Sequence, residues 1–179
     1  MNNRVLLHIC CAPDATIPWT ELSLTENLSI IGYFYGSNIH PSEEYDKRRE
    51  AVEILMNNVK GQCIYPAPSP DLWLQSVSAL ADEPEGGQRC AICFWLQLEG
   101  AAKAAVDSGC SHLCTTLTIS PHKNVDLINS IGNEIADNYG LVWLRRVWRK
   151  NNGFLNSVKI SKSLGLYRQS YCGCIFSMC

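Results

Sequence analysis

Three pairs of cysteines carry the reactive chemistry of this chain: Cys10 with Cys11, Cys90 with Cys93, and Cys172 with Cys174. The thiolate is both a strong nucleophile and a soft metal ligand, so clustered thiols point to metal binding or redox work. In Cys90-Ala91-Ile92-Cys93 the two thiols stand three residues apart in the first turn of an expected helix, where one metal centre can take both. The helix N-terminus favours negative charge and supports thiolate ligation; two ordinary thiols on a helix is the plainer reading. Cys10 and Cys11 are neighbours at a strand end, where successive side chains diverge. Either each serves its own centre, or one is a buried thiol and the other a ligand. A disulfide between adjacent residues is disfavoured by their short Cα separation. In Cys172-Gly173-Cys174 the glycine lets the backbone approach a bulky ligand closely.

Six thiols exceed what one zinc ion needs, and their spacings lack the short repeats of structural zinc sites. An iron–sulfur cluster beside a second metal uses all six. Asp14, four residues beyond Cys10, either adds a carboxylate oxygen to an incomplete iron shell or caps the helix after Pro13. Cys63, Cys110, Cys114 and Cys179 stand alone and are read as bystanders, Cys114 as simple core.

The elements that must position these groups alternate along the chain. Val5 to Ile9 is a short apolar run that breaks at Cys10-Cys11-Ala12-Pro13, the pattern of a buried strand ending in a loop. Further strands are expected at Ser29–Tyr35, Gln62–Tyr65, His112–Ile119 and Leu141–Val147. Between them, helical spacing predicts helices at Ile17–Leu28, Glu43–Val59, Asp71–Leu80 (capped by Asp71), Cys90–Ser108, Asn124–Asn138 and Phe154–Leu164. Asn151-Asn152-Gly153 reads as a turn and Gly165 as a helix stop. Such alternation argues for an α/β fold, a mostly parallel sheet with helices on both faces. Ligands of open parallel sheets gather beyond the carboxyl ends of the strands. Cys10-Cys11 and Ser120-Pro121-His122 both follow strands, so that edge is the predicted site.

The 179 residues suit one domain spanning 1–179, with no internal repeat or linker. Fifteen Lys and Arg against seventeen Asp and Glu leave a net charge of −2, so any nucleic acid must be held by a local basic face. The first apolar run is too short for a signal-peptide core or a membrane span. Ten cysteines without an export signal fit the reducing cytoplasm.

The chain resembles the QueH-type epoxyqueuosine reductases. Four blocks in order carry the likeness: Leu6-Leu7-His8-Ile9-Cys10-Cys11-Ala12-Pro13, Glu83 to Cys93, Thr115 to Lys123, and Gly165-Leu166-Tyr167-Arg168-Gln169-Ser170-Tyr171-Cys172-Gly173-Cys174. The resemblance implies reduction of the epoxide of epoxyqueuosine in the anticodon loop of tRNA to queuosine. It also implies a [4Fe-4S] cluster, an adjacent mononuclear metal, most simply iron, and a fold similar to the adenine nucleotide α-hydrolase-like three-layer sandwiches. The Gly-rich phosphate loop of ATP-using relatives is replaced here by Cys10-Cys11-Ala12-Pro13-Asp14, so no ATP is expected. Many members of that family have a cysteine where this chain has Asp14. The fourth cluster ligand is therefore open among Asp14, one of Cys10 or Cys11, or an exposed iron.

Removing an epoxide oxygen as water takes two electrons and two protons, so an external electron donor is required. A second metal could polarise the oxygen, and Asp14, Tyr171 and His122 are the candidate proton carriers. For the RNA, Arg145-Arg146-Val147-Trp148-Arg149-Lys150 joins cations to an aromatic ring, with Lys123 and Arg168 nearby in the motif blocks; a solvated strand edge explains the run equally well. Two rivals remain: a non-catalytic, cysteine-ligated zinc module, which would be colourless, and an ATP-dependent tRNA-modifying enzyme of related fold.

Overall fold

The first strand, β1 (Arg4–Ile9), alternates its side chains between two apolar layers, and this sets the architecture of the computed structural model, which describes residues 3–25 and 28–178. Val5, Leu7 and Ile9 pack with Ala15, Trp19, Val52 and Leu55, whereas Leu6 packs with Leu98, Ala101, Ile128 and Ile135 on the other side. The chain runs on through α1 (Ala12–Ser23), β2 (Ser29–Phe34), α2 (Ser42–Val59), β3 (Gln62–Ile64), α3 (Pro70–Val77), α4 (Gln88–Asp107), β4 (His112–Thr115), α5 (Val125–Asn138), β5 (Val142–Trp143) and α6 (Gly153–Ser163). All strand pairs are parallel, in the order β3-β2-β1-β4-β5. Helices α1, α2 and α6 contribute to one face and α4 and α5 to the other, as the alternation predicts. No helix among the described residues is long and apolar enough to cross a membrane.

The chain leaves β1 toward β2 and β3, then returns to add β4 and β5 on the opposite side of β1. A crevice therefore opens beyond the ends of β1 and β4, at the reversal of strand order. There the Thr116 N–H donates to the His8 carbonyl at 2.9 Å, and the Cys10 N–H donates to Thr116 Oγ1 at 3.2 Å.

Several boundaries differ from expectation. The first helix begins at Ala12 rather than Ile17 and ends at Ser23, short of Leu28; Glu26 and Asn27 lie outside the described residues. Pro13 suits a first helical turn, where its missing N–H leaves no bond unmade. Pro18 is also accommodated inside that helix. The 112–119 strand stops at Thr115, and Leu117–Ile119 form a 3₁₀ turn. The last strand shrinks from seven residues to Val142–Trp143, because β4 pairs with it only through His112 and Leu113. Asp71 does not cap α3: Ser69 occupies that position, and Asp71 lies in the first turn. Ser78–Leu80 continue that stretch as a 3₁₀ turn.

Candidate metal centre

Five thiols from three distant segments line one cleft of about 690 Å³ at this crevice: Cys10, Cys90, Cys93, Cys172 and Cys174. Asp14, His122, Lys123, Arg168 and Tyr171 share its walls. Cys11 is 1% exposed and lies behind the wall. Its sulfur, the Cys10 sulfur and an Asp14 oxygen nevertheless fall within 4.8 Å of one another, a grouping able to hold a metal ion.

Each group arrives by a different local device. Cys11 is the extended N-cap residue of α1, which turns Asp14 back toward the strand end, where the Cys10 thiol donates to Asp14 Oδ2 at 3.3 Å. Asp14 makes no cap; it sits in the first helical turn beside the thiols. Cys90 and Cys93 occupy the first two turns of α4, and the Gly86 N–H donates to Cys90 Sγ at 3.2 Å. Cys93 accepts from Trp73 Nε1 at 3.4 Å and from Gln97 Nε2 at 3.1 Å.

The third pair has no regular element to carry it. Its support is Arg48 on α2, which is 2% exposed and ion-paired with Glu44 at 2.7 Å. Arg48 donates to the carbonyls of Cys172 at 2.9 Å and Tyr171 at 3.1 Å, and its guanidinium lies over the Tyr171 ring. The Gly173 carbonyl accepts from the His40 N–H, and the Tyr171 hydroxyl donates to the His40 carbonyl. Arg89 holds the preceding loop of α4 by donating to the carbonyls of Leu80, Ala81 and Glu83, and it covers the Phe176 ring. The linear sequence does not mark Glu44, Arg48 or Arg89 for this supporting work. A Glu-Arg pair four residues apart on an amphipathic helix gives no sign of what it braces.

The electrostatics are those of a site built to share negative charge. Burial pushes the Cys93 thiol up to about 12, and Cys172 adds to the shift. A hydrogen bond with Cys11, then burial, raises Cys10 well above the ordinary thiol range. Cys172 is raised by burial against the opposing influence of the Lys123 ammonium. For Lys123 itself, burial pulls the pKa down, but Cys172, Cys10, Asp14 and Cys11 outweigh it, so the net shift is upward and the ammonium stays charged. Buried thiols of this kind become anionic when a cation replaces the proton, and soft donors in such number suit iron–sulfur ligation.

The remaining sequence candidates divide. His122 is exposed at the cleft, with its N–H donating to Ser120 Oγ. Arg168 lines the cleft and donates to Ser161 Oγ at 2.9 Å. Arg145 and Arg146 are exposed outside it, Arg145 paired with Asp126 at 3.2 Å. Arg149 instead clasps the loop after β4, donating to the carbonyls of Ser120, Pro121 and Lys123. Trp148 is not a stacking surface: it is 3% exposed, and its indole N–H donates to the Thr115 carbonyl at 2.8 Å. Among the isolated cysteines, Cys114 is 1% exposed in the apolar layer, as expected; Cys179 lies outside the described residues.

Comparison with known proteins adds three findings. Residues 5–179 match the family described as Epoxyqueuosine reductase QueH. Proteins named Epoxyqueuosine reductase QueH are similar in sequence: that of Streptococcus pyogenes is 36% identical, covering 97% of this chain and 69% of its own, and that of Thermotoga maritima is 38% identical, covering 97% and 90%. Among solved structures, the U34-tRNA thiolase NcsA from Methanococcus maripaludis, with its [4Fe-4S] cluster, superposes with a TM-score of 0.58 at 12% identity over 99% of this chain. This chain spans 59% of that neighbour, and the likeness shows the shared fold.

Proposed function

Since the chain belongs to the epoxyqueuosine reductase QueH family, we propose that it is the oxidoreductase that converts epoxyqueuosine to queuosine in tRNA, working in the cytoplasm with an external electron donor. The observation that carries the reading is the convergence of thiols from three distant segments on one cleft. We assign Cys90, Cys93, Cys172 and Cys174 to a [4Fe-4S] cluster, because all four line the cleft and Cys172 lies within electrostatic reach of the other three. Cys10, Cys11 and Asp14 form a separate compact group suited to a mononuclear iron. When bound, such a pair of centres supplies single electrons and a Lewis acid.

The surrounding residues then have definite tasks. Lys123 offsets the negative charge of Cys10, Asp14 and Cys172 and keeps that charge tolerable in a half-buried site. Asp14 sits where a carboxylate can both ligate and pass a proton. His122, at the exposed rim, can exchange a proton with solvent. The Tyr171 hydroxyl is engaged with the His40 carbonyl, so its task here is to hold the Cys172 segment. Loss of the epoxide oxygen as water consumes two electrons from the donor and two protons. Arg168 at the cleft and the exposed Arg145 and Arg146 are the proposed contacts to the RNA backbone, with Lys123 and Arg149 setting the intervening loop.

Anaerobic reconstitution with iron and sulfide, followed by assay on tRNA carrying epoxyqueuosine with a chemical reductant, tests this reading. We expect brown protein and formation of queuosine. Colourless protein holding only zinc, or a brown protein that leaves the epoxide intact under two-electron reduction, would sink it.

A further inference from the structure

Cys93 differs from the other thiols of the cleft in how its sulfur is surrounded. It is 9% exposed, and two N–H groups converge on it from 1%-exposed Trp73 on α3 and 4%-exposed Gln97 on α4. The indole N–H is a donor only, so the direction of the Trp73 bond is fixed. Its ring is held by His40 at 5.4 Å and Phe176 at 6.3 Å between centroids. Gln97 lies one helical turn beyond Cys93 on the same face of α4, and a metal-bound sulfur is an acceptor only, which selects the amide nitrogen of Gln97 as the atom facing it. By contrast, among the described residues Cys90 receives a single N–H, from exposed Gly86.

Building on the assignment of Cys93 to the cluster, we propose that Trp73 and Gln97 are positioning residues that set the reduction potential of that centre through two N–H···S hydrogen bonds to one ligand sulfur. Each donor withdraws charge from the sulfur and so favours the reduced cluster, which carries one more negative charge. Water contributes little at this sulfur, because both donors and the acceptor are buried, and the fixed dipoles act undiluted by solvent.

The test uses Trp73→Phe, which removes the N–H and keeps an aromatic ring, and Gln97→Leu, which removes the amide at similar size. Reconstituted wild type and variants are compared by iron and sulfide content and by mediated redox titration of the cluster signal. With cluster content unchanged, each variant should be harder to reduce, by about tenfold in the one-electron equilibrium, which is about 59 mV. The double variant should shift further. Unchanged potentials in fully loaded variants overturn the proposal, and so does failure of both variants to retain a cluster, which would make these residues assembly supports. If only one variant loads, its potential alone decides. Wild type that never takes up iron and sulfide would defeat the cluster assignment itself, a result visible before any variant is made.

Discussion

His8 is fully buried on β1, its Nδ1 within 2.9 Å of Thr115 Oγ1, and its Nε2 has no hydrogen-bond partner of ordinary geometry among the described residues. Burial lowers its pKa from 6.5 to about 3, with Gln97 opposing part of the shift. The folded chain thus holds His8 neutral where the unfolded chain takes up a proton. Its contribution to stability is complete above about pH 6.5 and declines as the pH falls toward 3. Between pH 7.5 and 5 the loss should be about 2 kcal/mol. Urea unfolding at the two pH values checks this: a His8→Gln variant should show a smaller decline than wild type, and equal declines would remove His8 as the cause. Only the burial reveals this role. In the sequence, His8 is one polar letter inside an apolar run.

At the scale of elements, the C-terminal segment from Tyr167 to Ser177 owes its position to α2. Glu44 accepts from Tyr167 Oη at 2.8 Å and from Arg48, and Arg48 reaches the carbonyls of Tyr171 and Cys172. Gly173 has φ +125°, and a Cβ there would meet Arg48 Nη1 at 2.7 Å. Its glycine therefore serves the close approach of an arginine to the strap. Gly173→Ala should cost about 1–3 kcal/mol by chemical unfolding. It should also lower iron content after reconstitution, since the strap carries Cys172 and Cys174. Normal stability together with full iron loading would show that the strap tolerates displacement.

For the molecule as a whole, the strand order brings the ends of β1 and β4 together with the start of α4, so the cysteine-lined cleft opens at the reversal in the sheet. The net charge of −2 gives no general attraction for RNA, and binding must depend on a few cations. Arg145 and Arg146 are both exposed, and the Arg145–Asp126 pair at the surface is too weak to withhold the arginine from a phosphate. An Arg145→Ala, Arg146→Ala double variant should bind substrate tRNA less tightly, with the slope of log affinity against log salt reduced by about 2. An unchanged slope would move the RNA path to another face. Trp148 gives this basic run its aromatic letter yet faces the core. A ring's surroundings depend on tertiary packing, which a local pattern does not encode.

The alternation of apolar runs and amphipathic stretches, with cysteines at element ends, determined the parallel α/β architecture and marked the candidate metal ligands. Those signals are local: period and punctuation survive in a linear string. Tertiary structure alone decided the rest, because partners distant in sequence make those choices through contact. It left Cys11 behind the cleft wall, set Lys123 among the thiols, made Asp14 a neighbour of Cys10 with no capping bond, and aimed Trp73 and Gln97 at one sulfur.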